Sequence, residues 1–167
     1  VVWARAKGAS QAGYSHLVNI DADNIMPTGW AEIALEYLLR HDVVCISGPV
    51  YYHDISRFKN VLVKSFYWIG RFFHKHVHPM CQGGNYILRH NVYDKMDGYD
   101  LSIPFYGEDT MTAHKAKEYG TVVWDPRLQI LSSGRRFDGQ GMLLTAWLYG
   151  INYLAVSFRG RPATSSY

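Results

Sequence analysis

The chain has 167 residues, 48% of them hydrophobic and 19% charged, which suits one folded domain with a sizeable core and excludes a low-complexity or repeat class. A formal net charge of +3 is too weakly basic to point to nucleic acid, and suits small polyanions or an anionic lipid surface equally well. Cys45 and Cys81 have neither CxxC nor metal-ligand spacing and lie in apolar surroundings, so a reduced, cytoplasmic chain is expected, without a spanning helix or leader segment.

No element is assigned before residue 17. Residues 17–20, Leu-Val-Asn-Ile, form a short β-leaning run that ends on Asp21, as a buried strand with acidic residues at its carboxyl end would. Pro27-Thr28-Gly29 breaks the chain. Residues 30–40 place Ile33, Ala34, Tyr37 and Leu38 at a helical period, with Thr28 as N-cap and Glu32 in the first turn. Residues 43–52 are β-rich with a bend at Gly48-Pro49. A long amphipathic helix over residues 57–76 gathers Phe58, Val61, Leu62, Phe66, Ile69, Phe72 and Phe73 on one face. A strand at 85–89 and a small helix at 91–96 lead to turn chemistry at Asp97-Gly98-Tyr99-Asp100. A helix over 108–119 closes on Gly120 at C′. Strands at 122–124 and 129–132, an apolar helix over 141–158 and a loose tail complete the chain. The alternation makes the class α/β, in which ligands bind beyond the carboxyl ends of strands.

Four constellations carry chemistry. Asp21-Ala22-Asp23 sets two carboxylates where both can reach one hard cation, Mg2+ or Mn2+, although an isolated D-x-D is more often a turn or cap. Gly107-Glu108-Asp109 opens a helix, where a carboxylate acts either as general base or as an ordinary cap. Gln82-Gly83-Gly84-Asn85-Tyr86 lets a ligand approach the backbone, with Asn85 able to hydrogen-bond it; the alternative is a simple turn. Arg135-Arg136 in a Gly-containing loop suits a diphosphate, or is a solvated basic loop.

Order and spacing add what each motif lacks alone. Ala-Arg-Ala-Lys-Gly-Ala-Ser-Gln-Ala-Gly over 4–13, Asp21-Ala22-Asp23, Gly29-Trp30, Gly83-Gly84-Asn85, Asp97-Gly98-Tyr99-Asp100 and Gly107-Glu108-Asp109 follow one another in a succession that resembles glycosyltransferase family 2, of GT-A fold, over residues 4–137. The resemblance implies an inverting transfer of sugar from a nucleotide-diphosphate sugar to a glycan or lipid-linked hydroxyl. It implies Asp23 as the direct metal ligand, with Asp21 near the ribose or the metal shell. Asp109 is implied as catalytic base with Glu108 supporting it, Gly83, Gly84 and Asn85 near donor sugar and acceptor, Arg135 and Arg136 toward the diphosphate, and Arg5 near the nucleotide. The expected architecture is a GT-A-like open mixed sheet flanked by helices, without the family's first two β-α units, which would need roughly 60 residues. It divides into a partial catalytic domain, 1–137, and a C-terminal helix and tail, 138–167. Within the first, 1–50 ends the nucleotide half and 51–137 forms the acceptor half. An inactive fragment or nucleotide-binding module, and a nucleotidyltransferase, are the rival readings.

Two side features are ambiguous. The segment 57–78 carries Arg57, Lys59, Lys64, Arg71 and Lys75 and no carboxylate. The simpler expectation is a core-packed helix with a solvated basic face; the other is peripheral contact at the cytoplasmic face of a membrane. His74, His76 and His78 look like a metal cluster, but i and i+2 point apart on a helix.

Overall fold

The computed structural model describes residues 1–103 and 105–164, with all their side chains but those of Asp138 and Gln140. Residues 165–167 of the expected tail lie outside the described residues. The first element is a helix that the sequence reading leaves unassigned, α1 (Val2–Gln11), whose Val2 and Ala9 are buried. Its three alanines carry high helix propensity, and the spacing of the two buried residues returns them to one face.

Strands β1 (His16–Ile20), β2 (Val43–Ser47), β4 (Asn85–Arg89) and β5 (Thr121–Trp124) build a sheet in the order β1-β4-β2-β5. β4 runs antiparallel to both neighbours, whereas β2 and β5 are parallel, so the sheet is mixed. β3 (Val50–Tyr52) and β6 (Ile130–Ser132) pair separately, in parallel. The bend expected at Gly48-Pro49 is thus where the chain leaves one sheet for the other. Glycine is required there, because an added Cβ would lie 2.1 Å from the Leu128 carbonyl oxygen.

Both faces of the main sheet are covered. Tyr86 and Leu88 pack under α1, α4 (His90–Lys95) and α5 (Glu108–Lys117), while Ile87 faces α2 (Trp30–Leu38) with Val50 and Leu128. The period of two along β4 sorts these residues. β2 breaks that period: Val44 and Cys45 both belong to the first layer, and a register shift lies between Val43 and Cys45. Cys45 and Cys81 are free and buried.

Several local expectations need correction. α2 is capped by Gly29 at φ +88 rather than by Thr28, because a left-handed N-cap turns the chain sharply out of the Pro27 break. α5 ends at Lys117, and Gly120 is needed for close approach, since an added Cβ would lie 2.7 Å from the Asp42 carbonyl and 2.5 Å from Val44. Arg135–Gln140, read as a loop, is a short helix, α6.

The largest difference concerns α3 (Arg57–His76), which begins at Ser56 as its side-chain cap. The expected core-facing stripe does not face the core. Val63 and Tyr67 are its buried residues, while Phe58 is 72% exposed, Phe72 59% and Trp68 78%. The sheets are covered by other helices, so α3 rests on the fold through a narrow seam. α7 (Met142–Arg159) lies alongside, buried at Asn152, Ala155 and Val156, with Leu143, Trp147 and Phe158 exposed. No helix among the described residues is long and apolar enough to cross a membrane.

Candidate functional site

β4 is antiparallel to β1, so its amino end lies beside the carboxyl end of β1, with Ile20 opposite Asn85. This register joins two motifs that are far apart in sequence. Asn24 donates from Nδ2 to the Gly84 carbonyl at 2.7 Å. An added Cβ on Gly84 would lie 2.5 Å from Asp21 Oδ2, and one on Gly83 would lie 3.2 Å from both Arg5 and Glu108. The glycine pair forms the middle of a turn closed by the Asn85 N–H to the Gln82 carbonyl at 2.8 Å, and it also lets charged side chains close in on the backbone.

Arg5 lies under this junction, its side chain 11% exposed. It donates to Asp21 Oδ1 at 3.0 Å and to Glu108 Oε1 in a close ion pair. Helix α1 thus ties the first aspartate of the D-x-D to the first residue of α5. Burial alone would lower the Arg5 pKa, but Glu108, Tyr86 and Asp21 hold it above its ordinary value. Glu108 is buried as well, and burial together with the charge of Asp109 pushes it up to about 7 despite Arg5. Its Oε2 has no hydrogen-bond partner among the described residues.

Gly107, at φ +86, starts α5 in the left-handed region. The turn aims Asp109 so that Oδ2 accepts the Gly83 N–H at 3.1 Å and Oδ1 the Thr110 N–H at 2.8 Å. Burial raises the Asp109 pKa, opposed by those N–H bonds and by Arg5. A carboxyl with raised affinity for protons, anchored at two points, suits a general base.

A polar cavity of about 500 Å3 opens beside the junction. Asp21, Asp23, Asn24 and Gly84 form one wall and Ser132, Ser133, Arg135 and Arg136 the other. Arg135 reaches Asp23 Oδ2 at 3.4 Å. Arg136 donates to the Tyr149 hydroxyl at 2.7 Å and its guanidinium lies 4.7 Å from the Phe105 ring centre. Asp54 orders this wall by accepting from Ser133 Oγ and the Gly134 N–H, each at 2.6 Å. Burial pushes Tyr52, also in the lining, up to about 12.

Asp21 and Asp23 fit a hard divalent cation. Each keeps a second oxygen outside its ion pair, and both line the cavity. Among the described residues no group of three or more His, Cys, Asp or Glu gathers for a metal. Two carboxylates with an open remaining shell match ions that keep water and substrate phosphate as ligands. The histidines do not assemble: His74 Nδ1 accepts from the Met80 N–H at 3.0 Å, and His78 lies against His114 with ring centres 4.6 Å apart.

Asn85 departs from its expected role. It is fully buried, with Nδ2 donating to Leu128 O at 2.6 Å and Oδ1 accepting from Trp30 Nε1 at 3.2 Å. Its amide binds β4 to α2 and the crossover loop, so it serves the core rather than a ligand. Asn24, Gln82, Tyr52 and Tyr149 line the cavity without having been singled out as ligand contacts. Asn24 directly follows the D-x-D and Gln82 opens the glycine motif, the one signal available. Nothing local marks Tyr52 or Tyr149. The expected division at residues 50 and 137 does not partition the cavity, since Asp21, Gln82, Arg135 and Thr145 all line it.

A second cavity, of about 430 Å3, lies between α3 and α7. Asp109 and Thr110 reach it, and it shares Tyr52, Gln82, Phe137, Thr145 and Tyr149 with the polar cavity. The two chambers therefore meet at those five residues, and Asp109 lines the apolar one, tied by its bond from the Gly83 N–H to the glycine pair whose Gly84 lines the polar one.

Comparison with known proteins accords with this geometry. Residues 1–97, over half of the chain, match the family model described as glycosyl transferase family 2. No curated protein matches. Among 44 matching chains of solved structures is a mannosyltransferase, PcManGT, from Pyrobaculum calidifontis, in complex with GDP-Man and Mn2+. It superposes with a TM-score of 0.68 at 17% identity, covering 96% of this chain and 43% of its own. That likeness shows the fold, a GT-A-like mixed sheet flanked by helices, and the chain spans less than half the length of that protein.

Proposed function

The chain belongs to glycosyltransferase family 2, and from that premise we propose that it forms the reacting part of an enzyme that moves a sugar from a nucleotide-diphosphate sugar to an acceptor hydroxyl, with inversion. The observation that carries the reading is Asp109 in the lining of the apolar chamber, hydrogen-bonded to Gly83 and so next to a polar chamber walled by paired aspartates and arginines.

In this reading the polar cavity holds the diphosphate and the donor sugar. Arg135 and Arg136 face the phosphates, where guanidinium geometry matches phosphate oxygens. Asp21 and Asp23 are the residues that would hold Mg2+ or Mn2+. When bound, such an ion supplies positive charge against the leaving diphosphate. The nucleotide sugar and Mn2+ named for the mannosyltransferase of the same fold support this choice of donor and cation.

Asp109 accepts the proton of the acceptor hydroxyl. The oxygen attacks the anomeric carbon from the face opposite the diphosphate, and the carbon–oxygen bond to phosphate breaks with its electron pair on the leaving oxygen. Bonds from the Gly83 and Thr110 N–H groups hold the Asp109 carboxylate in the lining of the apolar chamber, beside the glycine pair. Arg5 and Glu108 are positioning residues: the buried ion pair fixes Asp21 relative to the start of α5.

The test is calorimetric titration of the full-length protein with nucleoside diphosphates and Mn2+, then a screen of nucleotide sugars for hydrolysis. Binding that needs the cation and weakens at least about tenfold in Asp23→Ala is expected. Unchanged cation-dependent affinity in that variant would remove Asp23 from the site.

A further inference from the structure

We propose that the acceptor is an uncharged lipid alcohol, whose hydrocarbon chain lies in the groove between α3 and α7 and whose hydroxyl reaches Asp109. This rests on the reading of the polar cavity as the donor site and names the acceptor class of that same reaction.

The groove is built for hydrocarbon. Leu62, Phe66, Ile69 and Phe73 line it from α3, and Leu143 and Leu154 from α7. Asp109 is the only Lys, Arg, Asp or Glu among the described residues of its lining. A glycan has several hydroxyls per ring, and most would lose water against a wall that is largely hydrocarbon, with only scattered hydroxyls and Gln82 as partners. An alkyl chain loses nothing polar and gains by burial. A phosphate acceptor is disfavoured too, because its charge would face Asp109 with no Lys or Arg in that wall. A single hydroxyl at the end of a chain satisfies both constraints, since it needs one polar partner and Asp109 in the lining supplies it.

The surroundings indicate where such a molecule comes from. The groove opens along helices whose exposed residues include Phe58, Trp68, Phe72, Trp147 and Phe158. α3 adds Arg57, Lys59, Lys64, Arg71 and Lys75 without one carboxylate. Exposed aromatics beside unbroken positive charge complement an anionic bilayer surface, the source of a lipid alcohol. The carboxylate in the lining also argues for a substrate rather than a covering segment of protein, which would bury an unneutralised acid.

The experiment is titration of the full-length protein, with nucleoside diphosphate and Mn2+ present, against 1-O-alkylglycerols of rising chain length and against glycerol. Affinity is expected to rise with chain length, by up to about fourfold per methylene until the groove is filled, with glycerol not binding. Ile69→Asp and Leu143→Asp, at positions 50% and 82% exposed, are expected to weaken the dodecyl compound more than about tenfold. Unfolding midpoints matching the parent protein show that these variants are folded. Nucleoside diphosphate bound without alkylglycerol, whether the groove is filled by another segment or the acceptor is a polar glycan, overturns the acceptor assignment alone. Alkylglycerol bound equally by both variants overturns it as well. Failure to bind any nucleoside diphosphate overturns the donor reading and this proposal with it.

Discussion

The apolar chamber that Asp109 lines and the polar chamber across its bond to Gly83 are made by opposite physics. The polar one is organised by charge: Arg5, Asp21 and Glu108 interlock beneath it, and Arg135 pairs with Asp23 across it. The apolar one lies between two helices that leave much of their hydrophobic surface uncovered. Beneath the first, Arg5 and Glu108 are buried charges that tolerate few geometries, whereas the Arg135–Asp23 pair across it is exposed. The second depends on shape and water exclusion. One chamber is suited to recognising a defined anionic group, the other a class of hydrocarbon.

The largest test removes the group between them. Asp109→Asn keeps the shape and the Thr110 contact but cannot take a proton, so transfer is expected to fall by about 10²–10⁴-fold with nucleotide binding retained. Steady-state turnover near the parent rate would displace Asp109 as base. Next comes the ion-pair core. Arg5→Met leaves Asp21 and buried Glu108 without their cation and is expected to cost about 3–5 kcal/mol of stability, read by urea unfolding. A loss below about 1 kcal/mol would mean that the pair is not the frame of the polar chamber.

A smaller effect follows from Glu108. Its pKa is about 7 in the folded chain against an ordinary 4.5. Folding therefore takes up a proton between those values, and stability falls as pH rises through that window, by about 1–3 kcal/mol. Asp109, also raised by burial, adds to the same sign. Glu108→Gln should flatten the slope of the urea midpoint from pH 4.5 to 7; a slope unchanged in the variant would assign the effect elsewhere. The smallest effect belongs to the apolar side. Phe58→Ser and Trp68→Ser, at positions 72% and 78% exposed, should each shift stability by no more than about 0.5 kcal/mol. A loss of 2 kcal/mol or more, typical of about one buried large side chain, would show that α3 is packed on something in solution and would erase the contrast between the chambers.

Much of the local structure was legible beforehand. The short apolar run within residues 85–89, period 3.6 along 57–76 and the Gly-Glu-Asp start of α5 each state their element in a few residues. The candidate carboxylates were legible too, because Asp21-Ala22-Asp23 sits after a short β run and Asp109 at a helix start. Helix α1 escaped because its signal is propensity without an apolar stripe, with two buried residues in ten. Asn85 was misplaced because a glycine pair before a polar residue looks the same whether the amide serves a ligand or the core.

Sequence alone determined the α/β class, the family resemblance and which carboxylates carry charge, since these depend on residue type, spacing and short-range period. Only the tertiary structure decided what each charge faces. Arg5 and Glu108 are 103 positions apart and meet because α1 and α5 pack on the same face of the sheet. The stripe on α3 presented the same limit in apolar form. Its pattern reported a hydrophobic face but not what covers it, because amphipathicity is a property of one helix and burial a property of its neighbours.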